Sequence, residues 1–540
     1  INESWLADRD RFSCEGLNGT ARITAPQLKR DGRWLTIDWD EALREVMLRL
    51  GATAQQGGDT IAALVSPLTS VEEGYLLQKW LRGLGCNNID HRLWQYDFRG
   101  DARDPVMPWL GTDIAQLDQL NAALLIGSNV RKDQPLLAHR LRKAALKGAA
   151  ISFINGRRYD FNFPCLQQAL HPDEIVAALT AVVKALALNG ASVTPALKKS
   201  FDNAAPGKEA TAVAKALADG EKKIVLIGSQ VFLNPRYSDI CTLAREIARL
   251  TNARFGYLPF GANSAGLWLS GAVPQRTAGG KVADKPGLDA RQMVEQKKQV
   301  YILYGIDPEC DTWNAQATLA ALESAQQVIA FTSFDNPSLR VHADIILPLA
   351  AFAEMDGTYI NVEGRWQSWR KAAKAPGDTR EGWRILRMLG GLAKQPGFEY
   401  FSADEIRNEV AQLCADIQLD NSAPAAELGV SGRVSVSGNR LLRISEVPLY
   451  ATDPVVRRAL PLQETVDAKS SQQAVVHPDT ARQLHLTENS NVRIHQTGVA
   501  AEFVLRIEDS VAPGCIWTPL GILGAQTLGA AYAVVELEPA

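Results

Sequence analysis

The sequence has few cysteines, and no two of them lie close together. Seven occur in 540 residues, and no CxxC motif is present. Cysteine-ligated zinc and iron–sulfur sites take two or more thiolates from one short loop, so we predict no such site built from this chain alone. The odd number and wide spacing also argue against a disulfide framework and favour a reducing compartment.

The sequence also lacks an excess of charge of either sign. Lys and Arg number 57 and Asp and Glu number 60, which gives a formal net charge of −3. A nucleic-acid-binding chain is normally basic, so binding of a phosphate backbone over a broad face is disfavoured. Hydrophobic residues make up 46% of the chain, which is enough for packed cores, and the length suggests three or four domains.

Signal and membrane segments are lacking too. The sequence begins at Ile1 without a basic or apolar leader, and we interpret it as part of a longer protein. Residues 516–535 carry no charge and are long enough to span a bilayer, but Pro519, Gly521 and Gly524 interrupt them. Buried strands and turns are therefore predicted there, without insertion into a membrane.

Short aliphatic runs alternate with helical patterns over much of the chain. The predicted strands are 61–65, 122–126, 150–154, 223–228, 300–304, 328–331 and 343–348. Such runs are typical of buried parallel strands in an α/β fold. An Ala- and Pro-rich stretch, 421–428, is a predicted linker, and short alternating strands such as 491–495 beyond it indicate a small β-barrel.

Two Gly-Ser turns follow predicted strands at positions where α/β sheets bind ligands. They are residues 127–129 and 228–230, each just before helical sequence. Backbone N–H groups and a helix N-terminus favour an anion at such a place. Neither turn is a GxGxxG motif, so ligand binding and a plain structural turn both remain open.

No convincing catalytic centre is found. The segment 87–105 holds a histidine and several carboxylates, but interleaved arginines would repel a cation, and a salt-bridged loop is favoured over a metal site. GxSxG and HExxH motifs do not occur. The residues themselves therefore predict no catalytic residue and no metal ligand.

One segment, 347–367, resembles a known family. Gly357 and Gly364 bracket an alternating, hairpin-like run there. The segment is similar to the molybdopterin oxidoreductase superfamily, in particular to the large iron–sulfur subunit, called the G subunit, of bacterial respiratory NADH:quinone oxidoreductase (complex I). Further matches are residues 3–12, 16–18, 22–26, 85, 87–92, 263–266, 305–308 and 476–481, so the resemblance covers essentially the whole chain.

The resemblance implies a multi-domain α/β fold with parallel sheets and a C-terminal small β-barrel of the dinucleotide-binding type. The implied divisions are 1–50, the end of an iron–sulfur module and an entry β segment; 51–105 with 336–430, a discontinuous first α/β domain; 106–335, a second α/β domain; and 440–540, the barrel.

Three departures from the family pattern bear on cofactors. Residues 92–95 read Arg-Leu-Trp-Gln in the neighbourhood where catalytic relatives often hold the metal through Cys or selenocysteine; no thiolate is present there, and the indole of Trp94 cannot coordinate molybdenum. Residues 155–157 read Asn-Gly-Arg where relatives that bind the dinucleotide carry Asp-Pro-Arg. Ala7 stands where some of the large iron–sulfur subunits have the last cysteine of an additional cluster. The resemblance therefore implies a descendant of a molybdenum enzyme that holds no molybdopterin.

The function implied is a scaffold in the peripheral arm of complex I, on the cytoplasmic side of the bacterial inner membrane. Electrons would pass from NADH towards quinone through 2Fe-2S and 4Fe-4S clusters in upstream modules, and the partners would be other peripheral-arm subunits. Candidates for a vestigial cofactor cleft are Gly127, Asn129, Arg157, Gly228 and Gln230. The alternatives are an active molybdopterin oxidoreductase of the formate dehydrogenase type and a non-catalytic interaction module.

Overall fold

The fold was analysed in a computed structural model that describes residues 5–54, 57–201, 204–429, 436, 438–522 and 528–540. Two largely parallel sheets, a two-stranded hairpin and a closed six-stranded barrel make up its β-structure. The predicted fold class, α/β with parallel sheets and a C-terminal barrel, is confirmed.

The larger sheet has seven strands. In spatial order they are Arg33–Thr36, Gln27–Arg30, Ile345–Pro348, Gln327–Thr332, Val300–Tyr304, Ile61–Val65 and Ile89–Asp90. The last five run parallel, and the first two add an antiparallel edge. The central parallel strands are aliphatic and buried because helices cover both faces of the sheet.

The smaller sheet has five parallel strands. Their order is Leu166–Ala169, Ala150–Asn155, Ala122–Ile126, Lys223–Ile227 and Arg254–Tyr257. The two edge strands were not predicted, because they are short, partly exposed and interrupted by polar residues such as Gln167. Such strands lack the aliphatic run that reveals the three central ones.

Helices pack against both sheets. The longer ones are Trp39–Ala54, Val71–Gly83, Pro135–Leu146, Ile175–Leu188, Lys208–Asp219, Tyr237–Thr251, Ala315–Glu323, Gly382–Leu392 and Ala403–Leu413. The shorter ones are Asp8–Phe12, Val130–Asp133, Lys198–Phe201, Ser264–Ser270, Ala290–Glu295, Pro337–His342, Pro454–Arg457, Leu460–Gln463, Val466–Ser470 and Pro478–Gln483. A capping box starts Val71–Gly83: Glu73 N donates to Ser70 Oγ at 3.2 Å, and Ser70 N donates to Glu73 Oε2 at 3.1 Å.

The division of the chain into domains stays a prediction, but strand pairing places two strands in a different sheet from the one expected. Val300–Tyr304 and Gln327–Thr332 were expected in the second α/β domain, 106–335. Both lie instead in the seven-stranded sheet, because Val300–Tyr304 pairs residue for residue with Ile61–Val65. Sequence order alone does not reveal which of two parallel sheets a buried strand joins.

The barrel closes through six strands. Their order is Arg440–Glu446, Cys515–Pro519, Ala474–Val476, Val499–Ile507, Asn491–Gln496 and Val534–Pro539. The uncharged segment 516–535 thus contains barrel strands at both ends, as predicted, and its residues 523–527 lie outside the described part. Among the described residues, no helix combines the length and apolar character needed to cross a bilayer.

The hairpin matches its prediction, whereas the role of 421–428 as a linker stays a prediction. Gly357–Ile360 pairs antiparallel with Trp366–Trp369, and the described residues of 421–428 contain neither helix nor strand.

Candidate functional site

A cavity of about 540 Å³ separates the carboxyl end of the five-stranded sheet from the barrel. We call it the barrel cleft. Asn129 and Arg157 line it from the sheet side, and Glu446 and Trp517 line it from the barrel. Deeper in, a much smaller space is lined by Gly127, Gln230 and again Arg157. Four of the five predicted candidates therefore meet here, and the fifth, Gly228, lies in the neighbouring turn.

Arg157 spans the barrel cleft. Its guanidinium donates to Glu446 Oε1 at 3.4 Å, to Glu508 Oε2 at 3.3 Å and to Ser510 Oγ at 3.3 Å. It also lies over the Trp517 ring, 4.5 Å from the centroid. One side chain from the sheet therefore engages three polar groups and one aromatic face of the barrel.

Behind Arg157, three side chains form a compact hydrogen-bonded group. Tyr159 Oη donates to Glu446 Oε2 at 2.8 Å, and Gln230 Nε2 lies 2.9 Å from the same oxygen and 2.6 Å from Tyr159 Oη. Burial, with the adjacent Glu446 charge, raises the pKa of Tyr159 well above its usual value, so the phenol stays a neutral donor. We call Arg157, Tyr159, Gln230 and Glu446 the cleft lock.

Four of the six N–H groups in the two Gly-Ser turns are bound within the protein: those of Gly127, Ser128, Gly228 and Gln230. Gly127 N donates to Ile154 O at 2.9 Å, and Ser128 N donates to Asn155 Oδ1 at 2.9 Å. Gly228 N donates to Ile126 O at 2.8 Å. These donors hold the two turns against the sheet and are therefore not free to bind an anion.

Close packing, not ligand access, explains both glycines. Gly127 has a φ of +61°, and a Cβ there would lie 2.4 Å from Val231 Cγ2. A Cβ on Gly228 would lie 2.3 Å from Gly127 O. The backbones approach each other too closely for any larger residue.

The charges that line the barrel cleft nearly balance. The cations are Lys132, Arg157, Arg158 and Arg506, and the carboxyl groups belong to Asp133, Asp160, Glu446, Asp467 and Glu508. Burial, with the nearby Glu446 charge, raises the pKa of Asp133 to about 7, and Ser229 Oγ donates to it at 2.8 Å. A cleft of this composition offers little net attraction to a polyanion.

The position expected of a metal ligand lies in an apolar cluster. Trp94 is 5% exposed and packs with Leu233, Trp313 and Val447. Its ring also lies 6.2 Å from that of Phe260, centroid to centroid. These side chains present hydrocarbon or indole surfaces instead of the lone pairs that a metal needs.

The acidic segment 87–105 forms the salt-bridged loop that the sequence favours. Arg92 donates to Asp90 Oδ2 and to Asp101 Oδ1, both at 2.8 Å. His91 is buried, which lowers its pKa to about 4, and its ring nitrogens lie 2.9 Å from Ala272 O and 3.2 Å from Ser264 Oγ. Among the described residues, no group of three His, Cys, Asp or Glu side chains could hold a metal ion.

A buried ion cluster joins the seven-stranded sheet to the chain that enters the barrel. Arg457, 6% exposed, donates to Asp307 Oδ2 at 2.9 Å and to Asp311 Oδ1 and Oδ2 at 2.8 Å. Arg458 binds Asp307 through both carboxylate oxygens, at 2.8 and 3.1 Å. We call these four residues the ion junction.

Sequence reasoning missed the barrel side of the cleft. Glu446, Glu508 and Trp517 have no motif, and they meet Arg157 only because the barrel folds back onto the five-stranded sheet. Tyr159 lies two residues after Arg157, and this proximity was the only sequence signal for it, because Tyr159 belongs to no motif.

Comparisons with known proteins give a consistent relationship. A family model described as molybdopterin oxidoreductase matches residues 22–392. The chain is 25% identical over 478 residues to the G subunit of NADH-quinone oxidoreductase from Rickettsia felis, covering 87% of this chain and 62% of that protein. It is 23% identical over 461 residues to the NADH-ubiquinone oxidoreductase 75 kDa subunit of Reclinomonas americana, covering 81% and 58%. The chain thus spans less than two thirds of the length of these relatives.

Two further matches come from other functional classes. The F420-dependent formate dehydrogenase subunit alpha of Methanocaldococcus jannaschii is 25% identical over 464 residues, covering 76% of this chain and 68% of that protein. Acetylene hydratase from Pelobacter acetylenicus has a similar solved structure, with a TM-score of 0.70, 13% identity and coverage of 96% of this chain and 87% of that chain. At that identity the likeness shows the fold alone. The resemblance indicated by the sequence motifs is confirmed.

Proposed function

The chain belongs to the molybdopterin oxidoreductase family, and we propose that it is the family-related part of the G subunit of an NADH:quinone oxidoreductase, acting as a scaffold that holds no molybdopterin. The names of several relatives support the complex. The cleft lock supports the scaffold: the protein's own side chains cross the cleft in which relatives with a cofactor would hold it.

The residues of the barrel cleft do not fit a pterin dinucleotide. Its phosphates would need free N–H groups at the Gly127 and Gly228 turns, and most of those groups, including both glycine N–H groups, are bound within the protein. The smaller space, lined by Tyr159, Gln230 and Glu446, measures about 20 Å³, which is too small for its ring system. Glu446 and Glu508 also engage Arg157, a cation that phosphate groups would otherwise pair with.

The residues near Trp94 do not fit a molybdenum or tungsten ion either. Thiolate, selenolate or carboxylate is the kind of ligand that such an ion takes. The hydrophobic side chains that pack on Trp94 offer none, and no group of three His, Cys, Asp or Glu side chains among the described residues could hold a metal ion. We therefore derive no chemical step through a metal in this chain.

In this proposal, electron transfer belongs to other parts of the protein. The 2Fe-2S and 4Fe-4S clusters would lie in segments that the present chain does not include, and the chain would position them against other peripheral-arm subunits on the cytoplasmic side of the membrane. The proton-translocating oxidoreductase activity would be a property of the complex.

A tagged, full-length copy of the gene in its native host tests this role. Purification through the tag is expected to recover NADH:quinone oxidoreductase activity together with the other subunits, and deletion is expected to abolish that activity in membranes. Recovery of the tagged protein without that activity, together with unchanged activity in the deletion strain, would refute the proposal.

An active formate dehydrogenase is the second candidate, favoured by the formate dehydrogenase relative. It predicts formate-dependent dye reduction by the purified protein, and loss of that activity when cells grow without molybdate and tungstate. The scaffold proposal predicts no formate oxidation and unchanged NADH:quinone oxidoreductase activity in the same cells. A non-catalytic interaction module, the third alternative, predicts neither activity.

A further inference from the structure

Two helices on one face of the seven-stranded sheet, Trp39–Ala54 and Gly382–Leu392, pack side by side. We call them the first and the second helix, and their outward surface the helix-pair face. Its exposed residues include Arg44, Leu48, Arg384, Met388, Gly391 and Leu392. We propose that the helix-pair face docks an amphipathic helix of another subunit, whose apolar side is flanked by carboxylates. The inference rests on the proposed function, which makes this chain one part of a larger assembly.

The two helices run alongside each other. They begin together at the carboxyl end of the parallel strands, where Trp39 Nε1 donates to Asp378 O at 2.7 Å, just before the second helix. The first helix reaches the amino end of those strands, because Arg49 donates to Gln327, the first residue of one of them. The second helix packs along helix Val71–Gly83, which connects the same two ends of the sheet. The outer faces of the pair therefore adjoin along their length.

Large apolar side chains are exposed on both helices. Leu48 is 70% exposed, Leu392 46% and Met388 39%. The buried residues of each helix recur with the helical period on the opposite side, so these three side chains point away from the core. Exposed apolar side chains on neighbouring helices are typical of an interaction surface, and a pair of helices suits a third helix laid against it.

Gly391 favours a helix over a lipid surface as the partner. It is exposed in the last turn of the second helix, where glycine lowers helix stability relative to alanine. A Cβ on Gly390 would lie 2.1 Å from Phe398 Cδ1, whereas a Cβ on Gly391 would have no neighbour within 4 Å outside its own helix. Packing within the described chain thus explains Gly390 but not Gly391. A missing side chain between Met388 and Leu392 lets the backbone of a second element approach closely.

Cations flank the apolar side chains of the helix-pair face. Arg44, Arg387 and Lys394 form neither an ion pair nor a side-chain hydrogen bond with any described residue. Glu45, the carboxylate next to Arg44 in the sequence, pairs instead with Arg30 at 3.2 Å. The positive charge around the face is therefore available to a partner, and carboxylates beside the partner's apolar side would complement it.

Cysteine labelling of the tagged full-length protein tests whether the face is covered. Leu48→Cys and Met388→Cys are treated with a maleimide, and labelling is read peptide by peptide by mass spectrometry, in the assembly and in the full-length protein made without its partners. Leu188→Cys, at 68% exposure on another helix, is the matched control. We expect both face cysteines to react at least about tenfold more slowly in the assembly than alone, and the control to react equally in both.

Three labelling results would overturn the docking proposal. Equal labelling of the face cysteines in both preparations would show an uncovered face. Slow labelling of the protein made alone would show that another part of the same protein, or a second copy, covers it. Slow labelling brought about by phosphatidylglycerol vesicles in place of the partners would assign the face to a membrane. A wild-type preparation without NADH:quinone oxidoreductase activity would instead count against the proposed function, which this activity reports separately.

Two changes test the chemistry of the partner, read as the NaCl concentration that strips the partners from the immobilised protein. Arg44→Glu combined with Lys394→Glu should lower that concentration about twofold, whereas Lys199→Glu combined with Lys281→Glu, at exposed positions elsewhere, should not. Gly391→Leu should also release the partners early, without lowering the thermal midpoint of the protein made alone, since nothing packs there. Retention of the partners by both face variants at the control's NaCl concentration would refute an acidic helix as the occupant.

Discussion

Replacement of Arg457 by Met tests how strongly the ion junction holds the barrel to the seven-stranded sheet. Arg457 supplies hydrogen bonds to both carboxylates and to the Ala451 carbonyl, the last at 2.8 Å. Without it, Asp307 keeps Arg458, whereas Asp311 loses its only cation in the ion junction. Removal of one partner from a buried ion pair costs about 3–5 kcal/mol, because the charge left behind stays buried.

Urea unfolding followed by tryptophan fluorescence measures this loss, since Trp94 and Trp313 pack against Ala451 beside the junction. We expect the midpoint of the transition that reports this region to fall by about 1–2 M. The loss of stability caused by Arg457→Met should be smaller at pH 5 than at pH 8. Burial already raises the pKa of Asp311, and without Arg457 the folded state gains by protonating it.

Arg482→Met is the matched control, because Arg482 pairs with Asp479 while its side chain is 79% exposed. It should change stability by less than about 1 kcal/mol. If Arg457→Met cost no more than Arg482→Met, the ion junction would not be the buried tie that the distances indicate.

Three further predictions concern the barrel cleft, each checked by thermal unfolding. Asp133→Asn should stabilise the protein by about 2–4 kcal/mol at pH 8 and much less at pH 5. The reason is that the raised pKa of Asp133 makes the wild type lose stability as the pH rises from about 4 to about 7. A difference in stability that did not change with pH would contradict this. Gly127→Ala should destabilise the protein more than Gly148→Ala. Both glycines have positive φ, but a Cβ would meet a neighbouring side chain, Val231, only at Gly127. Equal losses of stability would contradict the packing explanation. Tyr159→Phe should cost about 1–3 kcal/mol through loss of the cleft-lock hydrogen bonds, and no loss would mean that the lock adds no stability.

The central strands were predictable because their physical signal is local. Ile61–Val65 and Ala122–Ile126 are continuous aliphatic runs, which occur in buried strands and in buried helices. Both runs are five residues long, which is typical of a strand and too short for a helix. The capping box at Ser70 and Glu73 is likewise a four-residue signal. Assignment of Val300–Tyr304 to its sheet was not predictable, since it depends on a partner more than 200 residues earlier.

The candidate site was predictable on one side only. Gly127 and Gln230 were found because the ends of parallel strands converge at one edge of a sheet. The partners of Arg157 were not predicted. In the sequence, Glu446 and Glu508 look like any other surface carboxylates, and they contact Arg157 only because the barrel packs against the sheet.

The metal content of the full-length protein tests the central claim most directly. The protein should be purified with its natural partners from cells supplied with molybdate and tungstate, and analysed by mass spectrometry of the elements. The scaffold account predicts iron from the clusters and no stoichiometric molybdenum or tungsten. About one atom of either metal per chain, retained through purification and lost on denaturation, would contradict it.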